Sequence, residues 1–405
     1  MRIRVGVIFG GESVEHEVSI ISAIQAMNKI DEDKYEVVPI YITKDREWYT
    51  GDMLKDIDVY QDLNLVKTYA SNVVLYCKDG GYVLQKKNGL FKKTVKEIDI
   101  AFPIVHGTNV EDGGLQGYLQ TIGIPFVGPN VYAAVVGQDK VYMKDIWAQD
   151  DIPMTKYVWF YDAEYRENPE EVLKKTKKLK YPLIVKPATT GSSVGISVCD
   201  NEERLKEGID EAVQYDSKIL IEEVVENLKE VNIAVMGNYE HQKVSEIEEV
   251  LSSNKFLTYT DKYIGGGKGK MKNGVKVPKG KSKGMASTNR KLPADLSNKM
   301  RKEIEDIATR AFKALGSSGN SRIDFLIDTK EDKVYINEIN SIPGSLAFYL
   351  WEAKHQEFTK VLDEMIQIAI KDYKRRISKT HSFETNILAG FASNGGAKGA
   401  KGKLK

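Results

Sequence analysis

The hydrophobic pattern of the first hundred residues predicts alternating strands and helices. An apolar run at residues 2–11 ends in two glycines, and residues 13–30 then place apolar side chains near helical spacing. Apolar runs at 35–43 and 98–107 predict two further strands, the second of which ends at His106 and Gly107. This order predicts a doubly wound parallel sheet, in which ligands bind at the carboxyl ends of the strands.

The pattern changes between residues 45 and 95 and again after residue 129. Alternation around Asn88-Gly89 predicts a β-hairpin inserted into the first unit. After residue 129 we expect a helix that carries Lys140 and Lys144. Two strands follow, joined by the Gly- and Ser-rich turn of "VKPATTGSSVG".

Strand patterns at 218–225 and 230–237 begin a third unit. A helix with one apolar stripe follows at 298–316, then a hairpin at 321–340 and a last helix at 358–378. The chain is therefore predicted to be an α/β protein. Its predicted units are an N-terminal α/β domain at 1–128, a central domain at 129–218 and a C-terminal domain at 219–378.

Two segments lack any hydrophobic period. A stretch at about 258–292 is rich in lysine and glycine, and we expect a long mobile loop there. Such a loop is either a solvated linker or a lid over an anionic ligand. The Gly- and Lys-rich end at 379–405 is expected to be a disordered basic tail.

Composition narrows the class of protein. Of 405 residues 41% are hydrophobic and 29% charged, which is typical of a globular chain. Lys and Arg total 59 against 58 for Asp and Glu, so no excess charge indicates a nucleic-acid or membrane partner. The two cysteines, Cys77 and Cys199, form no CxxC motif, and no apolar run is long enough to span a membrane. We expect a cytoplasmic protein.

The predicted hairpin at 321–340 carries oxygen donors. Glu338 and Asn340 alternate along one strand and therefore point to the same face, which Asp324 can reach from the partner strand. Carboxylate and amide oxygens suit Mg²⁺ ions that bridge phosphates. The alternative is an ordinary solvated hairpin face.

A lysine and a glycine-rich turn point to phosphate. Lys186 ends a predicted buried strand, where its charge needs a partner. The turn after it offers backbone N–H groups and serine hydroxyls to an anion. Its spacing differs from that of the P-loop and of the kinase glycine-rich loop, so the turn alone identifies nothing.

Taken together and in order, these motifs resemble the ATP-grasp ligases and, among them, the D-alanine–D-alanine ligase family. The motifs that carry the resemblance are "FGGESVEHEVS", "HGTNVEDGGLQG", "VKPATTGSSVG", "DKY" and "RID…NEIN". The resemblance covers roughly residues 3–345. It implies a three-domain ATP-grasp architecture with an N-terminal Rossmann-like domain. It also implies ATP-dependent joining of two D-alanines through an acyl phosphate, for peptidoglycan precursor synthesis.

The resemblance further implies roles for particular residues. The implied ATP contacts are Lys140, Lys186, Ser193, Glu222, Val225, Glu230 and Lys262. The implied ligands of two Mg²⁺ or Mn²⁺ ions are Asp324, Glu338 and Asn340. The groups implied to hold the first D-amino acid are Glu15 and His106. The groups implied in catalysis are Glu15, Ser192, Tyr263, Arg322 and Gly344.

The segment after Gly344 departs from the family. The family continues with small polar residues and ends in a serine and a leucine that hold the second amino acid's carboxylate, where this chain has Tyr349 and Leu350. An acceptor other than D-alanine, such as D-serine or a bulkier residue, is therefore an alternative. Tyr263 is typical of ligases that use an amine nucleophile. A non-catalytic ATP-binding protein is a further alternative, which the intact lysines and carboxylates disfavour. The resemblance also implies a homodimer.

Overall fold

The computed structural model describes residues 2–88, 93–192, 194–251 and 290–383, together with the backbone of 271–272 and 275–276. Most of the predicted loop at 258–292 and residues 384–405 of the predicted tail lie outside the described residues. Three site residues predicted from the sequence also lie outside them, namely Ser193, Lys262 and Tyr263.

A seven-stranded mixed sheet forms the N-terminal unit. Its strands are β1 (Ile3–Gly10), β2 (Tyr35–Ile42), β3 (Trp48–Thr50), β4 (Ser71–Lys78), β5 (Gly81–Lys86), β6 (Thr94–Ile98) and β7 (Ile100–Pro103). Their order is β6-β5-β4-β3-β2-β1-β7. Only β2, β1 and β7 pair in parallel, because the hairpin insertion extends the sheet with antiparallel strands. The helices of this unit are α1 (His16–Met27), α2 (Leu63–Tyr69) and α3 (Gly114–Ile122).

A four-stranded antiparallel sheet forms the central unit. Its helices and strands are α4 (Val131–Gln138), α5 (Lys140–Gln149), β8 (Tyr157–Tyr161), α6 (Asp162–Glu167), α7 (Pro169–Thr176), β9 (Leu183–Pro187), β10 (Ser197–Cys199), α8 (Glu202–Ala212) and β11 (Lys218–Glu223). The strand order is β10-β9-β11-β8. β11 pairs with β8 and β9, so the sheet continues past the predicted domain boundary at 218/219.

A five-stranded antiparallel sheet forms the third unit, in the order β16-β13-β12-β17-β18. Its elements are β12 (Leu228–Gly237), β13 (Gln242–Val250), β16 (Arg290–Lys291), α9 (Asn298–Ala314), β17 (Gly319–Asp328), β18 (Lys333–Asn340), α10 (Phe348–Glu352) and α11 (Phe358–Ile377). Between β13 and β16 the two short strands β14 (Met271–Lys272) and β15 (Val275–Lys276) pair with each other.

Helix packing joins the three units. The apolar stripe of α9 is buried, as predicted, and Ser297 caps the helix by accepting a hydrogen bond from the Met300 N–H. Trp147 of α5 packs in the same core and donates its indole N–H to the Ala311 carbonyl at 3.2 Å. The buried face of α11 instead shares the core of the N-terminal sheet. The last helix therefore holds the first and third units together.

The α/β class predicted from the sequence is confirmed. Among the described residues no helix combines the length and the apolar composition of a membrane span. Cys77 is exposed, Cys199 is buried, and neither forms a disulfide.

Candidate active site

A cleft of about 230 Å³ lies between the central and third sheets. The central sheet contributes Lys186 and Glu222 to its wall, and Val225 follows in the connection between the two sheets. β12 contributes Glu230. We call this space the cleft.

A smaller cavity of about 90 Å³ adjoins the cleft. It is lined by Glu15 and His106 of the N-terminal unit, by Ser192 of the glycine-rich turn, and by Asn340 and Gly344. We call this space the inner cavity. The cleft and the inner cavity share four lining residues, which are Lys140, Ile196, Arg322 and Glu338.

A buried carboxylate between two lysines forms one end of the cleft. Glu222 is 2% exposed, and its two oxygens lie 2.6 Å from Lys144 Nζ and 2.7 Å from Lys186 Nζ. Thr155 also donates its hydroxyl to Glu222 at 2.8 Å. Burial raises the pKa of Glu222, but the two lysine charges outweigh it and hold that pKa far below its ordinary value. The group is therefore an anion that fixes both lysines.

Lys140 reaches the junction of the two spaces. Its Nζ donates to the Thr190 carbonyl at 2.9 Å and lies 3.8 Å from a Glu338 oxygen. The preceding residue, Asp139, caps α5 and also forms an ion pair with Lys218 at 2.5 Å. Because these contacts hold the start of α5, the Lys140 ammonium is fixed beside the turn at 189–195.

The predicted metal donors lie together on the β17–β18 hairpin. Asp324 is directly opposite Glu338 in the ladder, and the Asn340 amide nitrogen donates to Asp324 at 3.2 Å. That contact leaves the Asn340 amide oxygen as the atom able to ligate a cation. Two carboxylates and an amide oxygen fit Mg²⁺ or Mn²⁺. In the described part of the chain no three His, Cys, Asp or Glu side chains cluster as metal ligands.

Arg322 holds Asp324 from the same strand. Its Nε and Nη2 donate to the two Asp324 oxygens at 2.7 and 2.8 Å. Burial lowers the pKa of Arg322, but the charge and hydrogen bonds of Asp324 outweigh burial and hold that pKa well above its ordinary value, so the guanidinium is permanently charged. A fork of this kind fixes the orientation of both groups.

Sequence reasoning missed Asn337, which lies in a β-bulge. The ladder pairs Phe325 with Ile336 and Asp324 with Glu338, so Asn337 is the extra residue. Its amide oxygen accepts from Lys186 Nζ at 3.2 Å. The bulge therefore adds a polar contact to the lysine on the opposite wall of the cleft.

Glu15 and Ser192 meet in the inner cavity. Ser192 donates its hydroxyl to a Glu15 oxygen across the boundary between the first two units. A Cβ at Gly191 would lie only 2.9 Å from the other Glu15 oxygen, so a side chain there would displace the Glu15 carboxylate. Burial lowers the pKa of His106, and its Nε2 lies 3.1 Å from the Ser22 hydroxyl. His106 is therefore a neutral wall group at neutral pH.

Glu111 was not predicted, although it belongs to the "HGTNVEDG" motif. It is buried and accepts hydrogen bonds at 2.9 Å from the Gly107 and Ile342 N–H groups and from the Ser341 hydroxyl. Burial outweighs these contacts and raises its pKa from 4.5 to about 7. Glu111 thus links the N-terminal unit to the segment that leads to Gly344.

Glu111 should make stability depend on pH. Because its pKa is raised in the folded state, its contribution is present below pH 4.5 and is lost as the pH rises through about 7. From about pH 5 to 8 the unfolding temperature of the wild type should therefore fall more steeply than that of Glu111→Gln. Thermal unfolding across this range measures both slopes, with the partly exposed Asp112→Asn as control. Parallel curves for wild type and Glu111→Gln would contradict the assignment.

The structure separates the two residues predicted to hold the second amino acid. Tyr349 is half-buried and donates its hydroxyl to Glu248 at 2.8 Å, close to the cleft wall. The Leu350 side chain is fully buried in the hydrophobic core shared by α10 and α11. Leu350 therefore offers no side-chain contact to either cavity in this structure.

Family models match both ends of the chain. A model described as "D-ala D-ala ligase N-terminus" matches residues 4–129, and one described as "D-ala D-ala ligase C-terminus" matches residues 146–367. A D-alanine–D-alanine ligase of Thermosipho melanesiensis is 38% identical over 95% of this chain and 98% of its own length. One from Clostridium acetobutylicum is 36% identical over 91% of this chain and 98% of its own length.

Solved structures agree in fold. The VanG D-Ala:D-Ser ligase from Enterococcus faecalis has a TM-score of 0.75 and 28% identity, over 91% of this chain and 100% of that one. The D-alanine–D-alanine ligase from Coxiella burnetii has a TM-score of 0.74 and 26% identity, over 96% of this chain and 98% of that one.

Proposed function

This chain belongs to the D-alanine–D-alanine ligase family and is an ATP-dependent ligase that joins two D-alanines, and we propose that the residues around the cleft and the inner cavity perform the reaction. The observation that carries the proposal is the shared wall of Lys140, Arg322 and Glu338. A phosphoryl group entering from the cleft and a carboxylate held in the inner cavity meet at this wall.

The first step is transfer of the ATP γ-phosphoryl group to the carboxylate of the first D-alanine. A carboxylate oxygen attacks the γ-phosphorus, the bond to the β-phosphate oxygen breaks, and ADP leaves. Lys140 and Lys186 neutralise charge on the phosphates. Glu15 pairs the ammonium of the donor, and His106 completes the wall around it. Val225 and Glu230 contact the nucleoside, next to the anchored Glu222.

Asp324, Glu338 and Asn340 would hold two Mg²⁺ or Mn²⁺ ions. Bound divalent ions neutralise phosphate charge and orient the phosphates for in-line transfer. The protein's own contribution is the fixed position of these oxygens, since Arg322 and the hairpin register hold Asp324 opposite Glu338.

The second step is attack by the amine of the second D-alanine on the acyl phosphate. A C–N bond forms, the nitrogen loses a proton to solvent, and the tetrahedral oxyanion collapses as the C–O bond to the phosphate breaks and inorganic phosphate leaves. Arg322 and the Gly344 N–H stabilise the oxyanion, which develops only along this step. The Ser192–Glu15 contact aligns the donor for this attack. Tyr349 contacts the acceptor.

The product identifies the acceptor. With ATP and an equimolar mixture of D-alanine and D-serine, mass spectrometry should find D-alanyl-D-alanine as the main dipeptide, with equal amounts of ADP and phosphate. The relatives at 36% to 38% identity support D-alanine as acceptor rather than D-serine or a bulkier residue. L-Alanine is the matched control for chirality. A mixed dipeptide as the main product would contradict the acceptor assignment.

Oligomeric state and cellular location are predicted from the family resemblance alone. A homodimer and a cytoplasmic location, where the dipeptide would supply peptidoglycan precursors, stay predictions that rest on this resemblance. Sedimentation of the purified chain measures the first directly.

A further inference from the structure

An unusual turn links the reacting site to Tyr349. Ser345, Leu346 and Ala347 all adopt the left-handed conformation, with φ of 52°, 51° and 46°. Residues with a side chain rarely adopt this conformation even singly, and here there are three in succession. All three are buried, so surrounding contacts must hold the turn.

Asn320 holds the middle of the turn. Its amide nitrogen donates to the Leu346 carbonyl at 2.6 Å, and its amide oxygen accepts from Trp351 Nε1 at 3.0 Å. Asn320 is 1% exposed and lies on β17, the strand that also carries Arg322. The side chain therefore fixes the turn to the strand of the oxyanion group.

Ser22 holds the start of the turn. Its hydroxyl accepts from the Ser345 N–H at 2.8 Å and lies 3.1 Å from His106 Nε2. The turn is thus attached to the wall of the inner cavity as well as to β17. Gly344, whose N–H faces the reacting carbonyl in the proposed mechanism, directly precedes the attached residue Ser345.

Glu248 holds the end of the segment. It is 2% exposed and accepts from the Tyr349 hydroxyl at 2.8 Å and from Asn232 at 3.1 Å. Arg290 pairs with its other oxygen at 2.7 Å and lies 4.1 Å from the centre of the Tyr349 ring. Glu248 and Arg290 both line the cleft.

We infer that Asn320 and Glu248 are positioning residues for the second D-amino acid. Asn320 fixes the left-handed turn between Gly344 and Tyr349, and Glu248 fixes the Tyr349 hydroxyl at the cleft wall. The inference rests on the proposed function, in which Gly344 and Tyr349 act on the acceptor. It implies that these contacts matter for capture of the acyl phosphate by an amino acid and not for its formation.

Hydroxylamine separates the two steps. It attacks the carbonyl carbon of an acyl phosphate, releases phosphate and gives a hydroxamate, and it has no carboxylate to be positioned. We expect Asn320→Ala to lower the ratio of dipeptide to D-alanine hydroxamate about tenfold, as loss of a buried hydrogen bond would. Asn238→Ala is the matched control, because this buried asparagine bonds instead to Asp372 and Glu240. Its ratio should equal that of the wild type.

Tyr349→Phe gives a milder test if Asn320→Ala does not fold. It removes only the hydroxyl that bonds Glu248 and should lower the same ratio about fivefold. An unchanged ratio in the folded variants, even with both products reduced equally, would overturn the inference and make these contacts merely structural. Absence of both products from the wild type would instead overturn the proposed function, and this inference with it.

Discussion

Replacing Glu338 with glutamine should lower the rate of dipeptide synthesis by about a thousandfold. Glu338 lies opposite Asp324 and lines both the cleft and the inner cavity. Loss of its charge removes one of the two carboxylates from the proposed metal site, where bound metal ions would neutralise phosphate charge. It also removes the negative charge that lies 3.8 Å from Lys140 Nζ.

A binding measurement separates metal loss from other causes. Electron paramagnetic resonance should show that Glu338→Gln with bound ATP holds Mn²⁺ about tenfold more weakly than the wild type. Glu331→Gln is the matched control. Glu331 is exposed in the turn that joins the two strands of the same hairpin, and its carboxylate lies 3.7 Å from Lys333 Nζ. Turnover and Mn²⁺ binding of Glu338→Gln within twofold of the wild type would refute the metal assignment.

Replacing Glu222 with glutamine should lower the free energy of unfolding by about 3 kcal/mol. The carboxylate is buried and touches both Lys144 and Lys186. Without its charge two ammonium groups are left in a buried site with no anion between them. Urea unfolding of the ligand-free protein measures the loss, and Glu223→Gln on the same strand is the control.

The pH dependence gives the same prediction a second readout. Because the pKa of Glu222 is lowered in the folded state, its stabilisation is present above its ordinary pKa and is lost as the pH falls through the folded value. The difference in free energy of unfolding between the wild type and Glu222→Gln should therefore shrink in acid. Adding Lys144→Met to Glu222→Gln should recover part of the stability, since it removes one unpaired buried charge. Equal stability of wild type and Glu222→Gln would show that the two lysines need no anion.

Helices, strands and the proposed metal donors could be predicted from the sequence where they depend on residues close together in the chain. The apolar stripe of α9 and the two strands around the glycine-rich turn follow from spacing alone. Asp324, Glu338 and Asn340 are brought together by the register of one hairpin, which alternation predicts. The order of the motifs identified the family that the comparisons then established.

Contacts between distant segments could not be predicted in this way. Glu111 and Ser341 are 230 residues apart in the chain, and no periodicity indicates that they bond. Lys144 gains its importance only because β11 brings Glu222 beside it. The left-handed turn at 345–347 contradicts the local preference of its residues, and it is held by contacts from the distant residues Asn320 and Ser22.

The fate of the donor carboxylate oxygens shows whether an acyl phosphate forms. In the proposed mechanism one of these oxygens attacks the γ-phosphorus at the shared wall of the two cavities and leaves with the phosphate. When D-alanine labelled with ¹⁸O in its carboxylate is the substrate, mass spectrometry of the released phosphate should find one ¹⁸O atom in each molecule formed together with dipeptide. Phosphate free of ¹⁸O, released at the rate of dipeptide synthesis, would contradict the acyl phosphate and the site built around it.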